Sequence, residues 1–155
     1  MEFRSGVRIA VDVGTVRVGV AASDPTGVLA SPVTVVRRDP RAGSDLEALA
    51  TLIAEREAVE VIVGLPRTLR GTDSASTLDA RDYAAALARR IAPVPVRLVD
   101  ERLTTVTATR GLRSAGRSAR AARGSVDAAA AVVLLDAALD RERATGEPAG
   151  DPVMI

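Results

Sequence analysis

Three residue types that carry much of enzyme chemistry are missing from this 155-residue sequence, which contains no cysteine, no histidine and no lysine. Their absence excludes a His-based catalytic triad, a thiolate nucleophile, a Schiff-base or Walker-type lysine and the usual His/Cys zinc sites. Carboxylates, hydroxyls, one tyrosine and arginine remain. Carboxylates can still hydrolyse glycosides directly or hold hard cations such as Mg²⁺ or Mn²⁺.

Aromatic residues and long apolar runs are also scarce. With one Phe, one Tyr and no Trp, the 47% of apolar residues predict an aliphatic core. No run approaches the ~18 apolar residues of a membrane span, and MEFRSGVR lacks the apolar centre of a signal peptide. We therefore expect a cytoplasmic protein with one domain over residues 1–143, followed by a loosely ordered tail over 144–155.

The periodicity of apolar residues predicts an antiparallel meander of three strands, followed by alternating helices and strands. The predicted strands cover 7–13, 16–23, 28–36, 59–66 and 96–99. The predicted helices begin near Ser44 or Asp45, near Ser76, near Thr104 or Thr105, and after a cap at Ser125. Because strands and helices alternate in the second half, the sequence predicts an α/β fold with a mixed five-stranded sheet flanked by helices.

Acidic residues stand at three places where apolar residues would be expected. Asp12 lies in the first strand, Glu101 follows its neighbour Asp100 at the end of the last strand, and Asp127 lies in the first turn of an apolar helix. Strand ends and a helix N-terminus can meet at one edge of a sheet. Carboxylates that meet there repel unless cations neutralise them, and two divalent ions about 4 Å apart would also suit phosphodiester hydrolysis.

Each acid also has a simpler interpretation. Asp127 could complement the helix dipole, and Asp12 could form an Asx turn before Gly14. Asp100 and Glu101 could form surface ion pairs with Arg97 or Arg102. The sequence leaves open which of the two neighbours faces the other acids.

Four segments carry a resemblance to a known family: VDVGTVRVGVAASD, IVGLPRTLRGT, VDERLTT and SVDAAAAVVLLDAAL. Over about residues 7–139 the chain resembles the YqgF/RuvX family, Holliday-junction resolvase-like proteins with a ribonuclease H-like fold that are also described as pre-16S ribosomal RNA nucleases. The resemblance implies that Asp12, Glu101 and Asp127 are the catalytic carboxylates that bind Mg²⁺ or Mn²⁺. It also implies that Gly14, Thr15, Arg17 and Gly19 shape the first hairpin around them.

An arginine-rich segment without acids lies between Arg102 and Val126. Five arginines recur there every three or four residues: Arg110, Arg113, Arg117, Arg120 and Arg123. We expect a flexible basic flap that holds the phosphate backbone without reading bases, together with Arg17 in the hairpin. A solvated loop is the alternative interpretation.

The leading functional hypothesis is a metal-dependent nuclease acting on structured nucleic acid, either the 5′ end of precursor 16S RNA or branched DNA. An actin-like nucleotide-binding phosphotransferase is the first alternative, since a D-x-G-T strand also opens those proteins. The phosphotransferase is disfavoured because actin-like proteins use two related domains, whereas this chain has room for one. A non-catalytic nucleic-acid-binding module is the second alternative. A two-fold homodimer would suit a junction resolvase, which must cut two strands symmetrically.

Overall fold

The computed structural model describes residues 3–67, 70–104 and 126–155. Six strands are assigned: β1 Arg8–Val13, β2 Arg17–Ser23, β3 Ala30–Arg37, β4 Glu60–Leu65, β5 Val96–Asp100 and β6 Asp151–Pro152. Within the described residues, three α-helices accompany them: α1 Ser44–Glu55, α2 Ala75–Ile91 and α3 Val126–Thr145. A short 3₁₀ turn, Glu101–Thr104, follows β5 directly. The helix predicted from Thr104 or Thr105 onward otherwise lies outside the described residues.

The strands form a single mixed sheet in the order β3-β2-β1-β4-β5-β6. β1, β2 and β3 pair antiparallel, which confirms the predicted meander. β4 is parallel to β1, and β5 is parallel to β4, as expected for strands joined through helices. The predicted α/β class with a mixed sheet is therefore confirmed, although the number of strands differs.

The additional strand comes from the segment that the sequence predicts to be loosely ordered. β6 pairs antiparallel with β5, and Ala149 just before it is buried. The Arg97 guanidinium donates from Nε to the Ala149 carbonyl at 2.8 Å and from Nη2 to the Gly150 carbonyl at 2.6 Å. The glycines and prolines of this segment indicate irregular structure, but they do not reveal that an arginine on β5 binds its carbonyls.

Alternation of side chains along the central strands divides the core into two layers. Ile9 and Val11 of β1 pack on the side that carries α1 and α2, here called the α1/α2 face. Ala10 of β1 and Ile62 of β4 pack on the opposite side, here called the α3 face, against Leu134 and Leu135 of α3. Within the described residues, no helix is long and apolar enough to cross a membrane.

The start of α1 differs from the predicted cap. Gly43, in a left-handed conformation with φ 71°, occupies the N-cap position, and no side chain caps the helix there. The Asp39 carboxylate instead accepts hydrogen bonds from the Ser44 backbone N–H at 3.2 Å and the Ser44 hydroxyl at 2.6 Å. The prediction of Ser44 or Asp45 as the cap is therefore wrong, because the preceding loop supplies the acceptor.

The other helix starts lie close to their predicted positions. Ser74 caps α2 in a reciprocal capping box with Thr77, so α2 starts at Ala75, one residue before the predicted Ser76. α3 begins at Val126, the residue that follows the predicted cap. Ser125 itself lies outside the described residues.

Candidate active site

Asp12 lies at the C-terminal end of β1 on the α3 face, because side chains alternate along the strand and Ala10 packs on that face. Its partner across the β1–β2 pair is Gly19, which is buried. On the other side, the parallel register that pairs Val11 with Val63 continues toward Gly64 of β4. Asp12 therefore stands between two strand positions that have no side chain, so neither neighbouring strand fills the space beside its carboxylate.

Glu101 reaches this space from the far side of β4. Val99 of β5 packs on the α3 face, so Glu101, two residues later, falls on the same side and Asp100 on the other. A Cβ atom placed on Gly64 would lie only 2.7 Å from Oε1 of Glu101 and 3.2 Å from Cδ2 of Leu134. The Glu101 carboxylate therefore extends across Gly64 toward Asp12.

The electrostatic environment of Glu101 reflects this approach. Burial, the negative charge of Asp12, a hydrogen bond to Asp12 and the charge of Asp100 together raise the pKa of Glu101 to about 7. Two half-buried carboxyl groups thus share one small region. A site of this kind favours either a shared proton or a bound cation.

Asp100 has a different role. Its carboxylate accepts hydrogen bonds from Arg102, with Nη2 at 2.6 Å from Oδ2 and the backbone N–H at 2.9 Å from Oδ1. The hydrogen bond from the Arg102 side chain lowers the pKa of Asp100 below its usual value. The predicted surface ion pair is therefore formed by Asp100 with Arg102. Arg97, the other predicted partner, binds the carbonyls of Ala149 and Gly150 instead.

Gly64 is a site residue that the sequence interpretation misses. In the sequence it serves only to close the predicted buried strand. Glycine within a strand often marks a close approach of another group, and that signal is present in VEVIVGLP. The structure shows that the approaching group is the Glu101 carboxylate.

The loop between β1 and β2 is tightly closed beside Asp12. The Gly14 backbone N–H donates to the Arg17 carbonyl at 2.9 Å, and a Cβ on Gly14 would lie 2.6 Å from that oxygen. This N–H is therefore used within the hairpin, which argues against an Asx turn from Asp12. Thr15 and Arg17 are both exposed at the same edge.

Arg38 supports this loop from the α1/α2 side and is not among the predicted site residues. Its backbone N–H donates to the Val16 carbonyl at 2.9 Å, and its Nη1 donates to the Gly14 carbonyl at 3.3 Å. The guanidinium also pairs with the Asp79 carboxylate of α2 at 2.5 Å. Its Cζ lies 5.2 Å from the centre of the Tyr83 ring. The conformation of the hairpin next to Asp12 is thus tied to α2.

The third predicted carboxylate belongs to the first turn of α3. Leu134 of this helix packs beside Gly64, and residue 127 precedes it by two helical turns on the same stripe. α3 runs antiparallel to β1, since Glu142 in its last turn contacts Arg8 at the start of β1. The backbone of Asp127 is therefore directed to the edge that carries Asp12 and Glu101. The Asp127 side chain lies outside the described residues.

Comparison with known proteins identifies the family. A family model described as "RuvX: Holliday junction resolvase" matches residues 6–141. The chain belongs to the RuvX family. Two relatives named "Putative pre-16S rRNA nuclease" are similar over most of the chain. The one from Mycolicibacterium paratuberculosis is 58% identical and covers 94% of this chain and 87% of its own. The one from Thermobifida fusca is 54% identical and covers 97% and 98%.

A solved structure shows the same fold. Thermus thermophilus RuvC in complex with a Holliday junction substrate superposes with a TM-score of 0.61 at 16% identity, covering 95% of this chain and 99% of RuvC. This likeness confirms the predicted ribonuclease H-like fold. Membership of the RuvX family and the names of the relatives support the predicted nuclease activity.

The donor set suits a hard divalent cation only in part. Asp12 and Glu101 offer carboxylate oxygens, the ligands that Mg²⁺ and Mn²⁺ prefer, and Gly64 allows the Glu101 carboxylate to approach Asp12. In the part of the chain that the structure describes, no three His, Cys, Asp or Glu residues stand close enough to hold a metal ion. The side chain of the third predicted ligand, Asp127, does not belong to that part.

The arginines predicted to bind nucleic acid separate into two groups. Arg17 is exposed at the edge of the sheet that carries Asp12. The other five, Arg110, Arg113, Arg117, Arg120 and Arg123, lie outside the described residues. Their assignment to the phosphate backbone stays a prediction.

Proposed function

We propose that this RuvX-family protein is a divalent-metal-dependent nuclease in which Asp12, Glu101 and Asp127 hold Mg²⁺ or Mn²⁺. The convergence of Asp12 and Glu101 across Gly64 carries the proposal. The two carboxyl groups approach closely enough for burial and mutual repulsion to raise the pKa of Glu101 to about 7. Such an arrangement costs stability when both groups are charged, and a bound cation would offset that cost.

The residues of this chain would act mainly by position. Asp12 is held on a central strand and Glu101 on the turn that ends β5, so both carboxylates have fixed backbones. Bound divalent ions would supply charge stabilisation for an in-line displacement at phosphorus with water as the nucleophile. Gly64 has no side chain, so the Glu101 carboxylate can extend across it toward Asp12.

The proposed substrate is structured nucleic acid, with the 5′ end of precursor 16S RNA favoured over branched DNA. The names of the relatives support the RNA, whereas the RuvC of similar fold was solved in complex with a Holliday junction substrate. Arg17 beside the site and the arginine-rich segment before α3 supply the basic side chains that phosphate binding requires. The homodimer and the cytoplasmic location stay predictions.

The decisive experiment offers both substrates to the purified protein in Mn²⁺. Precursor 16S RNA and a four-way DNA junction are incubated with the wild type, with Asp12→Asn and with Asp100→Asn. Asp100→Asn is the matched control, because Asp100 is an acid in the same region that pairs with Arg102. We expect cleavage by the wild type and the control and none by Asp12→Asn. Equal cleavage by all three would contradict the proposal.

Binding measurements on the same protein separate the alternatives. Tight ATP binding without cleavage would favour the actin-like phosphotransferase. Metal-independent nucleic-acid binding without cleavage would favour a non-catalytic binding module.

A further inference from the structure

Two arginines face each other directly across the β2–β3 pair. The register places Arg17 at the start of β2 opposite Arg37 at the end of β3. Both residues are exposed. Like charges at directly opposed strand positions repel. Among the described residues, no carboxylate forms an ion pair with either guanidinium.

Both arginines fall on the face that carries the candidate active site. Val18 and Val36, their immediate neighbours, pack on the α1/α2 face. Arg17 and Arg37 therefore project to the α3 face, as Asp12 does. The neighbouring Arg38 is directed the other way, where it pairs with Asp79. Arg37 and Arg38, which are adjacent at the end of β3, therefore point to opposite faces of the sheet. Of these two, only Arg38 forms an ion pair within the described residues.

The carboxylates and the arginine pair lie at the same end of the sheet, where β1 and β3 end and β2 begins. Asp12 is opposite Gly19 on β2, so no side chain stands on β2 between Asp12 and β3 at that level. From the spacing of strands and residues, Arg17 lies roughly 8 Å and Arg37 roughly 12 Å from Asp12 between Cα atoms. An extended phosphate backbone with one phosphodiester at the carboxylates would carry its next phosphates toward the two guanidinium groups.

We propose that Arg17 and Arg37 together bind a backbone phosphate of the nucleic-acid substrate, next to the phosphodiester held at Asp12 and Glu101. The proposal rests on the nuclease function argued above and adds Arg37 to the binding surface. Guanidinium groups form paired, charge-assisted hydrogen bonds with phosphate oxygens. A phosphate between the two would replace their repulsion by attraction. Because only the backbone is contacted, RNA and DNA of any sequence should be affected alike.

The test measures binding apart from cleavage. Arg37→Ala is made in the Asp12→Asn background, and its affinity for precursor 16S RNA and for a four-way DNA junction is measured over a salt series. The matched control is Arg56→Ala, which removes the same charge from an exposed arginine at the end of α1, on the opposite edge of the sheet. We expect Arg37→Ala to weaken binding about tenfold for both nucleic acids. The slope of log affinity against log salt should become shallower by about 0.7 to 0.9.

The affinities of three variants separate the outcomes. Arg56→Ala should leave affinity and slope unchanged. Arg37→Lys should recover part of the affinity, since charge is kept and the paired geometry is lost. If Arg37→Ala binds like Arg56→Ala, the proposal is overturned, even where the wild type cleaves. If binding depends on Arg37 but the otherwise wild-type protein never cleaves either substrate, the nuclease function fails and the phosphate contact stands.

A kinetic measurement in the otherwise wild-type protein tests whether Arg37 acts in binding or in the catalytic step. Arg37→Ala should raise KM and leave kcat at saturating substrate unchanged, because Arg37 is placed in binding and not at the reacting phosphodiester. A fall in kcat with unchanged affinity would overturn the proposal. A thermal unfolding midpoint equal to or above that of the wild type would show that Arg37→Ala is folded.

Discussion

The two edges of the sheet both place charged side chains among buried residues, but they neutralise them differently. At the edge where β1 and β4 begin, Arg8, Glu60 and Glu142 are buried, and Arg4 lies over them. Arg8 binds Glu142 at 2.9 Å, and Arg4 binds Glu142 at 2.6 Å and Glu60 at 3.1 Å. At the edge where β1 and β4 end, Asp12 and Glu101 approach each other with like charge.

The pKa values of Glu142 and Glu101 show this contrast, whereas burial raises the pKa of Glu60 in spite of its ion pair with Arg4. Burial alone would raise the pKa of Glu142, but the hydrogen bond from Arg4 and the charges of Arg8 and Arg4 hold it below its usual value. Burial and the charge of Asp12 act in the same direction on Glu101, so its pKa rises to about 7. Acids compensated by arginine serve the fold. Acids that repel each other favour the binding of a cation between them.

Asp12→Asn should have the largest effect of the series, a loss of cleavage with the fold retained. One charged ligand is lost while the half-buried side chain keeps its shape, so we expect the rate in Mn²⁺ to fall by a factor on the order of 10³ to 10⁴. Initial rates on precursor RNA test this, and circular dichroism should show an unchanged fold. Wild-type turnover would remove Asp12 from the active site.

Glu142→Gln should have the largest effect on stability, because it leaves the buried Arg8 without its carboxylate. Breaking a buried ion pair from one side typically costs about 3 to 5 kcal/mol, measured here by urea unfolding. The control is Glu147→Gln at the exposed end of the same segment, expected within about 0.5 kcal/mol of the wild type. An equally small effect at both positions would mean that the ion pair of Glu142 with Arg8 does not contribute to the free energy of unfolding.

Glu101→Gln should stabilise the metal-free protein, and more so as the pH rises. The folded pKa of about 7 lies above the ordinary glutamate value of 4.5, so the folded state holds its proton more tightly than the unfolded chain. Stability due to Glu101 is therefore complete below pH 4.5 and is lost as the pH rises through 7. The glutamine variant should gain roughly 1 to 2 kcal/mol at about pH 8, less than the full pKa shift implies because solvent screens a partly exposed group, and little at about pH 4.5, as read from denaturant unfolding with a chelator. A gain that does not change with pH would contradict this assignment.

Millimolar Mn²⁺ should stabilise the wild type. At about 100 times the dissociation constant, binding to the folded state contributes roughly 2 to 3 kcal/mol, seen as a higher thermal midpoint. The shift should vanish in Asp12→Asn and persist in Asp100→Asn. A thermal midpoint that does not change on addition of Mn²⁺ would indicate that Asp12 is a structural residue.

Gly64→Ala should have the smallest effect of the series. The added methyl group would lie 2.7 Å from Oε1 of Glu101, so the carboxylate must move away from Asp12. We expect Mn²⁺ affinity, titrated through the thermal midpoint, to weaken about tenfold, as when a ligand loses its orientation. Gly71→Ala is not a suitable control because its φ of 78° would strain alanine. Ala10→Gly, which removes a methyl group from the same face of β1, is the control that shows whether any change of the strand surface alters Mn²⁺ affinity.

Local sequence patterns determined most of the fold. Alternating and continuous apolar runs located β1, β2, β4 and β5, and the helical spacing of apolar residues located α1 and α2, because these patterns follow from the periods of strand and helix. The absence of histidine, cysteine and lysine restricted the chemistry to carboxylates through composition alone. The isolated acids at residues 12, 101 and 127 were visible from their neighbours in the chain, since charge within an apolar pattern has a cost that function must explain.

Tertiary structure decided what depends on contacts between distant segments. That Glu101 and not Asp100 faces Asp12 required the direction of β5 relative to α3, and the close approach at Gly64 required the Glu101 carboxylate above it. The pairing of β6 with β5 and the opposition of Arg17 and Arg37 are properties of register. Periodicity assigns a residue to a face of its own strand, but which strand lies beside it, and at what offset, is fixed only when the whole sheet packs.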